Sequence, residues 1–560
     1  MIPSVGSQRF LAASLLLTSL ARASGVPSPS RLPQLPRVEV DTAVPPSKGK
    51  VLPVPAAGSL QAALERARPG DVIELERGRT FEGPFTLPRK EGEEWITVRP
   101  AGAEARLPGP GMRVDPSQSG AMPRLISRFE AVLTAASGAH HYRFVGVEIQ
   151  PAKGAFLKNL VVLGSTESAV EAVPHHLIFE RCYLHGDPGA GTRRGIALNS
   201  GSAAVIDSYL ADFKEAGADS QAIAGWNGPG PYLIRNNYLE AAGENVMFGG
   251  ADPTIQGLVP SDIRIERNHF SKPLSWKGGE AGTTAAPWTV KNLLELKNAR
   301  RVLIAGNLFE HNWVQAQSGF AVLFTVRNEN GQAPWSVVED VTFARNAVRR
   351  AASGVNILGR DDNHASEPAK RILIQGNLFE ELGGSRWGGG GTLFQILQGT
   401  QDLVIDHNTA FQSDKIVMAE GTPHTGFVFT NNIVAHNQYG IAGTGTGAGT
   451  STLQRYFPGA LVRRNVFVGG AAGAYPSDNF FVAAMDRVGF KKTGSDGLQL
   501  GPASPYRGAG TDGKDPGVDC AQLASALPPG VGSSLPGPVF GREPAPPDAG
   551  RTDSGSPPSP

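Results

Sequence analysis

Short runs of alternating apolar and polar residues recur along the middle of the chain and are separated by turns rich in glycine. Alternation with a period of two is typical of β-strands rather than helices. The runs include Val246-Met-Phe248, Phe320-Ala-Val-Leu-Phe324 and Val355-Asn-Ile357. The pattern therefore predicts an architecture of many short strands.

A short motif accompanies these runs: an apolar residue, two variable residues, Asn, one variable residue and a second apolar residue. Its Asn residues are Asn237, Asn268, Asn307, Asn346, Asn377, Asn408, Asn432 and Asn465. Val147, Cys182 and Ser208 take the Asn position in earlier, degenerate copies, and successive copies lie 24 to 39 residues apart. Such a unit cannot bury its own apolar face, whereas stacked units can, so the repeat predicts a solenoid.

The recurrent Asn is expected to have a structural role. An Asn side chain at a turn can hydrogen-bond the backbone and stack on the Asn of the next coil. Four histidines lie beside turns of this kind without the spacing of metal ligands and are interpreted as surface or turn residues: His175, His176, His269 and His407.

A capping element is predicted before the first coil. Ser59 can cap a helix in which Leu60, Ala63, Leu64 and Ala67 form one apolar stripe. Three strand-like runs follow that helix, namely Val72-Ile-Glu-Leu75, Phe85-Thr-Leu87 and Trp95-Ile-Thr-Val98. An amphipathic helix over the end of a solenoid would shield its core.

The segment from Ser59 to Pro100, together with the Asn repeat, resembles the right-handed parallel β-helix proteins of the pectate-lyase-like superfamily. The resemblance covers roughly residues 51–517, including Gly510-Thr-Asp-Gly-Lys-Asp-Pro-Gly517. It implies an all-β, right-handed parallel β-helix with an N-terminal capping helix. It leaves the activity open, because this fold hosts lyases, hydrolases, epimerases and non-catalytic adhesins.

The two ends of the chain differ from the repeat. A signal peptide is predicted over 1–23 from a basic residue, an apolar run and a site of small residues, namely Arg9, Phe10 to Leu20 and Ala21-Arg22-Ala23. We expect cleavage near Ala23 and hence a secreted or periplasmic protein. A Pro- and Ser-rich linker is predicted over 24–50, the β-helix domain over 51–526, and a disordered Pro-, Gly- and Ser-rich tail over 527–560. We expect no membrane span and a monomer.

Charge and cysteine content exclude several classes of protein. Fifty-two basic residues against 51 acidic ones give a net charge of +1, which argues against a nucleic-acid partner. Two cysteines exclude a disulfide scaffold and a four-cysteine zinc site. We expect Cys182 to be a buried free thiol and Cys520 to have no special role.

Candidate chemistry lies in the two longest coils, from Asn268 to Asn307 and from Asn307 to Asn346. We expect Leu294 and Leu296 to face inward, which would turn Glu295 and Lys297 outward. On the next coil we expect Val322, Phe324 and Val326 to face inward, which would turn Thr325 and Arg327 outward. Further residues are predicted to extend this face as substrate-binding groups together with Thr325: Asn245, Asn356, Arg360 and Gln395.

Such a face suits cleavage of an acidic polysaccharide by β-elimination, in which a base removes the proton alpha to a uronate carboxylate and a cation stabilises the enolate. Lys297 is the candidate base. Arg327, or a Ca²⁺ ion held partly by Glu295, would supply the positive charge. The nearby carboxylate of Glu295 favours a protonated Lys297 and so opposes this role unless Ca²⁺ occupies the carboxylate.

The segment from Glu295 to Asn298, with Gly306-Asn307-Leu-Phe309 and Arg327, is similar to the chondroitinase-B and alginate-lyase group. That resemblance implies a lyase with a Lys and an Arg on consecutive coils beside Ca²⁺-binding carboxylates. Two alternatives remain open: an ion pair on a non-catalytic carbohydrate-binding face, and a glycoside hydrolase that uses Asp361 and Asp362. Six tryptophans in loop-like stretches could stack on sugar rings or pack against the coils: Trp226, Trp276, Trp288, Trp313, Trp335 and Trp387.

Overall fold

The computed structural model describes residues 31–43, 46–102, 107–277, 287–491 and 497–531. The chain winds through three long sheets in turn, and every pairing between successive strands of a sheet is parallel. It is a right-handed parallel β-helix, as the repeat and its resemblance predicted. The predicted signal peptide and the residues from 532 onward lie outside the described residues.

From β2 to β39 the strands follow one another in the order sheet A, sheet B, sheet C, and β1 and β40 are additional strands of sheets A and B. Sheet A has 14 strands: β1 (Val51–Val54), β2 (Val72–Leu75), β5 (Ile96–Pro100), β8 (His140–Val145), β11 (His175–Glu180), β14 (Gly201–Ile206), β17 (Gly230–Arg235), β20 (Ser261–Glu266), β23 (Ala299–Ala305), β26 (Val338–Ala344), β29 (Lys370–Gln375), β32 (Gln401–Asp406), β35 (Val428–Thr430) and β38 (Leu461–Arg463). Sheet B has 14 strands: β3 (Thr80–Glu82), β6 (Arg124–Ser127), β9 (Glu148–Pro151), β12 (Tyr183–His185), β15 (Tyr209–Phe213), β18 (Tyr238–Ala241), β21 (His269–Ser271), β24 (Leu308–Asn312), β27 (Ala347–Ala351), β30 (Leu378–Leu382), β33 (Thr409–Gln412), β36 (Ile433–Ala435), β39 (Val466–Val468) and β40 (Phe480–Val482). Sheet C has 12 strands: β4 (Phe85–Leu87), β7 (Leu133–Ala135), β10 (Asn159–Val162), β13 (Arg194–Ala197), β16 (Gln221–Gly225), β19 (Glu244–Phe248), β22 (Leu294–Leu296), β25 (Phe320–Thr325), β28 (Ser353–Leu358), β31 (Phe394–Leu397), β34 (Val417–Glu420) and β37 (Ile441–Gly443).

The core fills the interior of the solenoid. In sheet C, Val246, Leu294 and Val322 stack in register on successive coils, and all three are fully buried. The period-two alternation places these apolar side chains inside and their neighbours outside. One continuous hydrophobic cluster therefore runs from Val54 to Tyr475.

The predicted Asn repeat forms a buried ladder at the turn between sheets A and B. The backbone N–H and the side-chain amide of Asn307 both donate to Oδ1 of Asn346, at 2.9 and 3.0 Å, and its amide also donates to the carbonyl of Ile265. The same pattern repeats from Asn237 to Asn465. Asn479 adds a final rung that the sequence motif did not include.

The predicted capping helix is present as α1 (Leu60–Arg66), packed against β1, β2 and β4. Ser59 Oγ accepts the backbone N–H of Ala62 at 3.1 Å. The described residues also contain the helices α2 (Thr450–Tyr456) and α3 (Cys520–Ala526), and 3₁₀ helices at Pro116–Ala121, Val170–Ala172, Leu274–Trp276, Ala472–Ala474 and Met485–Arg487. Helix α3 buries Cys520 and Leu523 in an apolar cluster with residues of sheet B.

Residues 31–43, which fall within the predicted linker, pack along the outside of sheet A; we call this segment the strap. Its backbone N–H groups donate to carboxylates of the coils, Gln34 to Asp340 at 3.0 Å and Arg37 to Asp262 at 2.8 Å. Val40 is buried in a small apolar cluster on the same surface. The composition of the segment did not reveal this, because its partners are carboxylates far away in sequence.

Cys182 is a buried free thiol, as expected, and Cys520 is also buried. Burial raises the pKa of the Cys182 thiol to about 12, so this residue is an unreactive core group at a degenerate ladder position. Among the described residues, no helix has the length and apolar character needed to cross a bilayer.

Candidate functional site

The outer face of sheet C carries a row of side chains from consecutive coils. The parallel register aligns Glu295 with Leu323, Asn356 and Gln395. Leu294 and Leu296 on either side of Glu295 lie in the core, as the alternation predicted. Leu323 lies between Glu295 and Asn356 in this row, so the row mixes polar and apolar side chains.

Buried oxygen atoms gather on β19 and β22. Glu295 is 3% exposed and accepts hydrogen bonds from Thr325 Oγ1 and Asn292 Nδ2, both at 3.0 Å. Val246 pairs with Leu294, and continuing this register places Asn292 beside Glu244. Oε1 of Glu244 and Oδ1 of Asn292 are buried and have no hydrogen-bond partner among the described residues. We call Glu244, Asn292 and Glu295 the oxygen cluster.

The pKa of Glu244 responds to this crowding. Burial, and then the negative charges of Glu295 and Asp219, raise the pKa of its carboxyl to about 7. Lys291 and a hydrogen bond donated by Gln221 Nε2 at 2.8 Å offset part of this effect. Near neutral pH the cluster therefore holds a carboxyl group that is readily protonated or deprotonated.

Two lysines border the oxygen cluster and are partly exposed. Lys291 Nζ lies 3.8 Å from Glu244 Oε1 and forms an ion pair with Asp219 at 2.5 Å. Lys297 Nζ lies 3.3 Å from Glu329 Oε2. Burial alone would lower the pKa of Lys297, but the carboxylates of Glu295, Glu329 and Glu244 outweigh it and raise this pKa above its usual value. Lys297 is therefore an ammonium ion in this arrangement.

Arg327 lies on the coil after Lys297, and its backbone N–H donates to the Lys297 carbonyl at 2.9 Å. The two side chains have different partners. Nη1 of Arg327 donates to Asp361 Oδ1 at 2.8 Å and also to Asp362. Hydrogen bonds from Arg327 and from the backbone lower the pKa of Asp361, despite the opposing effect of burial. Asp361 and Asp362 thus form an ion-paired turn with Arg327.

The other predicted ligand residues have different locations. Asn245 was expected on the outer face but is fully buried, and it contacts the buried ammonium of Lys272 and the carbonyls of Leu239 and Ser271, so this expectation is wrong. Thr325, Asn356 and Gln395 lie on strands of sheet C, where Asn356 pairs with Gln395. Arg360 lies just beyond β28, and its Nη1 donates to the Ser366 carbonyl at 3.2 Å.

The tryptophans mostly pack against the coils. Trp276, Trp313 and Trp387 are buried together in an apolar cluster beside sheet C. Trp226 is half-buried, with the Arg194 guanidinium 5.2 Å from its ring centroid. Nε of the same Arg194 donates to the side-chain oxygen of Gln221 on β16 of sheet C at 2.9 Å.

Glu244, Lys291 and Asn292 were not predicted from the sequence as site residues. Glu244 and Lys291 lie 47 residues apart in the sequence, and only the coil register brings them together. A signal was present for Glu244, which begins the strand before the long coil that carries Glu295.

No family model matches the chain, and no curated protein sequence matches it. Among solved structures, the PL6 family alginate lyase AlyGC aligns with a TM-score of 0.51 and 13% identity over 84% of this chain and 57% of that chain. The chain shares the parallel β-helix fold. An alginate lyase from Paenibacillus sp. str. FPU-7 aligns at 16% identity with a TM-score of 0.32. The alignment covers 58% of this chain and 98% of that chain.

A further alignment is with the catalytic unit of a GH87 alpha-1,3-glucanase from Streptomyces thermodiastaticus strain HF3-3. It has a TM-score of 0.46 and 12% identity, and it covers 79% of this chain and 69% of that chain. At 13% identity the alignment with AlyGC shows a common fold and leaves the activity of this chain to be inferred from its own site.

Proposed function

We propose that this β-helix binds an acidic polysaccharide across the outer face of sheet C and cleaves it by β-elimination. The observation that carries the proposal is the pair of partly exposed lysines, Lys291 and Lys297, that border the buried oxygen cluster. Lysine ammonium groups at the mouth of such a site would attract the carboxylates of a uronate polymer. The name of the aligned alginate lyase AlyGC agrees with this class of substrate.

The elimination requires a base, a cation and a leaving group. The base takes the proton alpha to the uronate carboxylate, the electron pair forms a carbon–carbon double bond, and the glycosidic bond breaks at the beta carbon. The departing oxygen then takes up a proton. In total a carbon–hydrogen bond and a carbon–oxygen bond break, and a carbon–carbon double bond and an oxygen–hydrogen bond form. Lys297 is our candidate base, and Arg327 and Lys291 are the candidates for stabilising the enolate charge.

Lys297 must lose its proton before it can act as a base. Its pKa is raised by the carboxylates of Glu295, Glu329 and Glu244, against the effect of burial. If the carboxylates of Glu244 and Glu295 were neutralised, two of the three charges that raise the pKa of Lys297 would be removed. Burial would then lower the pKa of Lys297. The free amine would be produced where the substrate carboxylate binds.

The residues of the oxygen cluster fit a calcium ion. Glu244 Oε1 and Asn292 Oδ1 are buried oxygens that lack hydrogen-bond partners within the described chain. Carboxylate and amide oxygens are the ligands that Ca²⁺ prefers. Glu244, Asn292 and Glu295 would hold the ion. When bound, Ca²⁺ would supply positive charge for the substrate carboxylate. Lys291 lies 3.8 Å from Glu244 and would orient toward Asp219 instead.

The test is ultraviolet absorbance from unsaturated uronate products. Purified full-length protein is mixed with alginate, pectate or chondroitin sulfate, each with Ca²⁺ or with a chelator. We expect absorbance to rise with at least one polymer, and to rise faster with Ca²⁺. No rise with any of the three polymers under either condition would contradict the lyase proposal.

A second candidate function is non-catalytic binding of the same polymers. It is favoured by one observation: Lys297 and Arg327 are both held in ion pairs with carboxylates. Retarded migration of the protein in gels that contain alginate or pectate, without any absorbance change, would support this function over the lyase. Release of reducing ends without absorbance would indicate hydrolysis.

A further inference from the structure

Four histidines form a cluster on the outside of sheet A, on earlier coils than the site on sheet C. His140 of β8 pairs in register with His175 of β11, and each is followed by a second histidine, His141 and His176. The rings of His140 and His175 are stacked with centroids 4.8 Å apart, and those of His141 and His176 with centroids 4.4 Å apart. The four imidazoles thus form a two-by-two block.

The backbone brings consecutive histidines to one side of the sheet. His141 and His176 have φ values of 58° and 54°, in the left-handed region. Nδ1 of His140 lies 2.8 Å from Nδ1 of His141, and the two Nδ1 atoms of His175 and His176 are 2.7 Å apart. Two nitrogens at this distance share one proton, so in each neutral pair the donor ring keeps a free lone pair on Nε2 and the acceptor ring carries its proton there. For both rings of one pair to bind a metal ion, the acceptor ring must change tautomer and the hydrogen bond between the two Nδ1 atoms must break.

These histidines differ from most other histidines of the chain. The described residues give the four rings no side-chain hydrogen bonds besides the two that join them to each other. By contrast, His185, His269 and His407 each contact a carboxylate, and Nε2 of His436 contacts the Tyr475 hydroxyl. An imidazole that has only another imidazole as its partner retains the capacity to bind a ligand.

A cavity of about 690 Å³ opens over the cluster. It is lined by His141, His175 and His176, by Trp95, and by Glu39 and Asp41 of the strap. One potential ligand atom from each of the three histidines lies within 4.8 Å of the others. In a tetrahedral zinc site with Zn–N bonds of about 2.1 Å, two ligand nitrogens are about 3.4 Å apart. Ring rotations that shorten the separations of up to 4.8 Å by about 1.4 Å would bring the three nitrogens within range of one ion.

We propose that His141, His175 and His176 bind one divalent transition-metal ion of the zinc class, in the cavity beneath the strap. Imidazole nitrogen is a ligand that zinc, copper and nickel accept and that calcium and magnesium do not favour. Three protein ligands leave a coordination position that faces the cavity, where water or a strap carboxylate can complete the shell. The site joins β8 to β11 and is independent of the proposed reaction on sheet C.

The test uses full-length protein without an affinity tag, freed of metal by a chelator. Calorimetric titration with Zn²⁺ is expected to give one site per chain, and Co²⁺ is expected to give visible absorption bands of a site with nitrogen ligands. The test variant is His141→Asn combined with His176→Asn, because Asn tolerates the left-handed backbone of both positions. We expect binding at least about tenfold weaker in this variant.

The matched control is His364→Asn, which removes an exposed imidazole elsewhere on the chain and is expected to bind Zn²⁺ like the parent. If the double variant does not fold, the unmodified protein is labelled with diethyl pyrocarbonate. Bound Zn²⁺ is then expected to protect His175 and His176 from modification. Absence of a one-to-one site, equal binding by the double variant, or labelling of His175 and His176 that Zn²⁺ does not slow would each overturn the proposal.

Discussion

The Asn ladder and the outer face of sheet C are both stacks of polar side chains that follow the coils, yet they differ in how their polar atoms are satisfied. In the ladder, Asn346 receives two hydrogen bonds from Asn307 and donates to the Ile304 carbonyl and to Asn377. On sheet C, Glu244 Oε1 and Asn292 Oδ1 are buried without a hydrogen-bond partner in the described chain, and Lys291 Nζ lies 3.8 Å from Glu244 Oε1.

Under the proposed function, the difference separates a structural role from a ligand-binding one. Buried polar groups are almost always hydrogen-bonded, and an exception calls for an explanation. Identical residues at identical positions can satisfy one another from coil to coil, which is what the ladder does. The mixed row on sheet C leaves oxygen atoms and charges available to a ligand at some cost to stability.

The largest predicted effect is on the ladder. Asn346→Ala removes the acceptor of the Asn307 backbone N–H and leaves that group buried and unpaired. We expect the free energy of unfolding to fall by about 3 kcal/mol. Chemical denaturation followed by circular dichroism measures it, and a loss below about 0.5 kcal/mol would contradict a structural role for the ladder.

A smaller effect is expected at His407, an ionisable residue beside the ladder. Burial opposes its charge, but Asp406 and Asp512 raise the pKa of His407 to about 9. A raised pKa in the folded state means that the stabilisation is complete below the unfolded pKa of about 6.5 and is lost as pH rises through about 9. His407→Gln should therefore be less stable than the parent near pH 6, with the gap closing near pH 10. A pH-independent gap in denaturant midpoints would argue against this ion pair.

The smallest change in stability is predicted for the oxygen cluster. Glu244→Gln replaces a buried carboxyl whose pKa is raised to about 7 by an amide of similar shape. We expect the free energy of unfolding to stay the same or to rise by up to about 1 kcal/mol, because burying a charge is costly. Turnover of the polysaccharide should nevertheless fall, and a destabilisation similar to that of Asn346→Ala would assign Glu244 to structure.

The fold was largely predictable from the sequence because its determinants are local and repeated. The Asn motif, the alternating runs and the helix that Ser59 caps each depend on residues close together in the chain. Asn479 was missed because its rung lies outside a full copy of the motif. The outward position predicted for Asn245 was wrong because its side-chain oxygen accepts a buried hydrogen bond from Lys272, which lies on the next coil.

The site was predictable only in part. Alternation predicted that Glu295 and Thr325 face outward on consecutive coils, and the hydrogen bond between their side chains agrees with that orientation. The partners of Lys297 and Arg327, namely Glu329 and Asp361, come from loops whose course no periodicity describes. The histidine cluster was overlooked because its two pairs lie 35 residues apart, a distance that means proximity only once the coil register is known.

The central claim is that the lysines at the oxygen cluster act on a polyanion. The most direct measurement is the rate of unsaturated-uronate formation by Lys297→Ala, compared with Lys153→Ala, which removes an exposed lysine outside the site. The account predicts loss of turnover by at least about a hundredfold in Lys297→Ala with unchanged thermal stability, no change in Lys153→Ala, and an intermediate rate in Arg327→Ala. Equal rates for Lys297→Ala and the parent would contradict it.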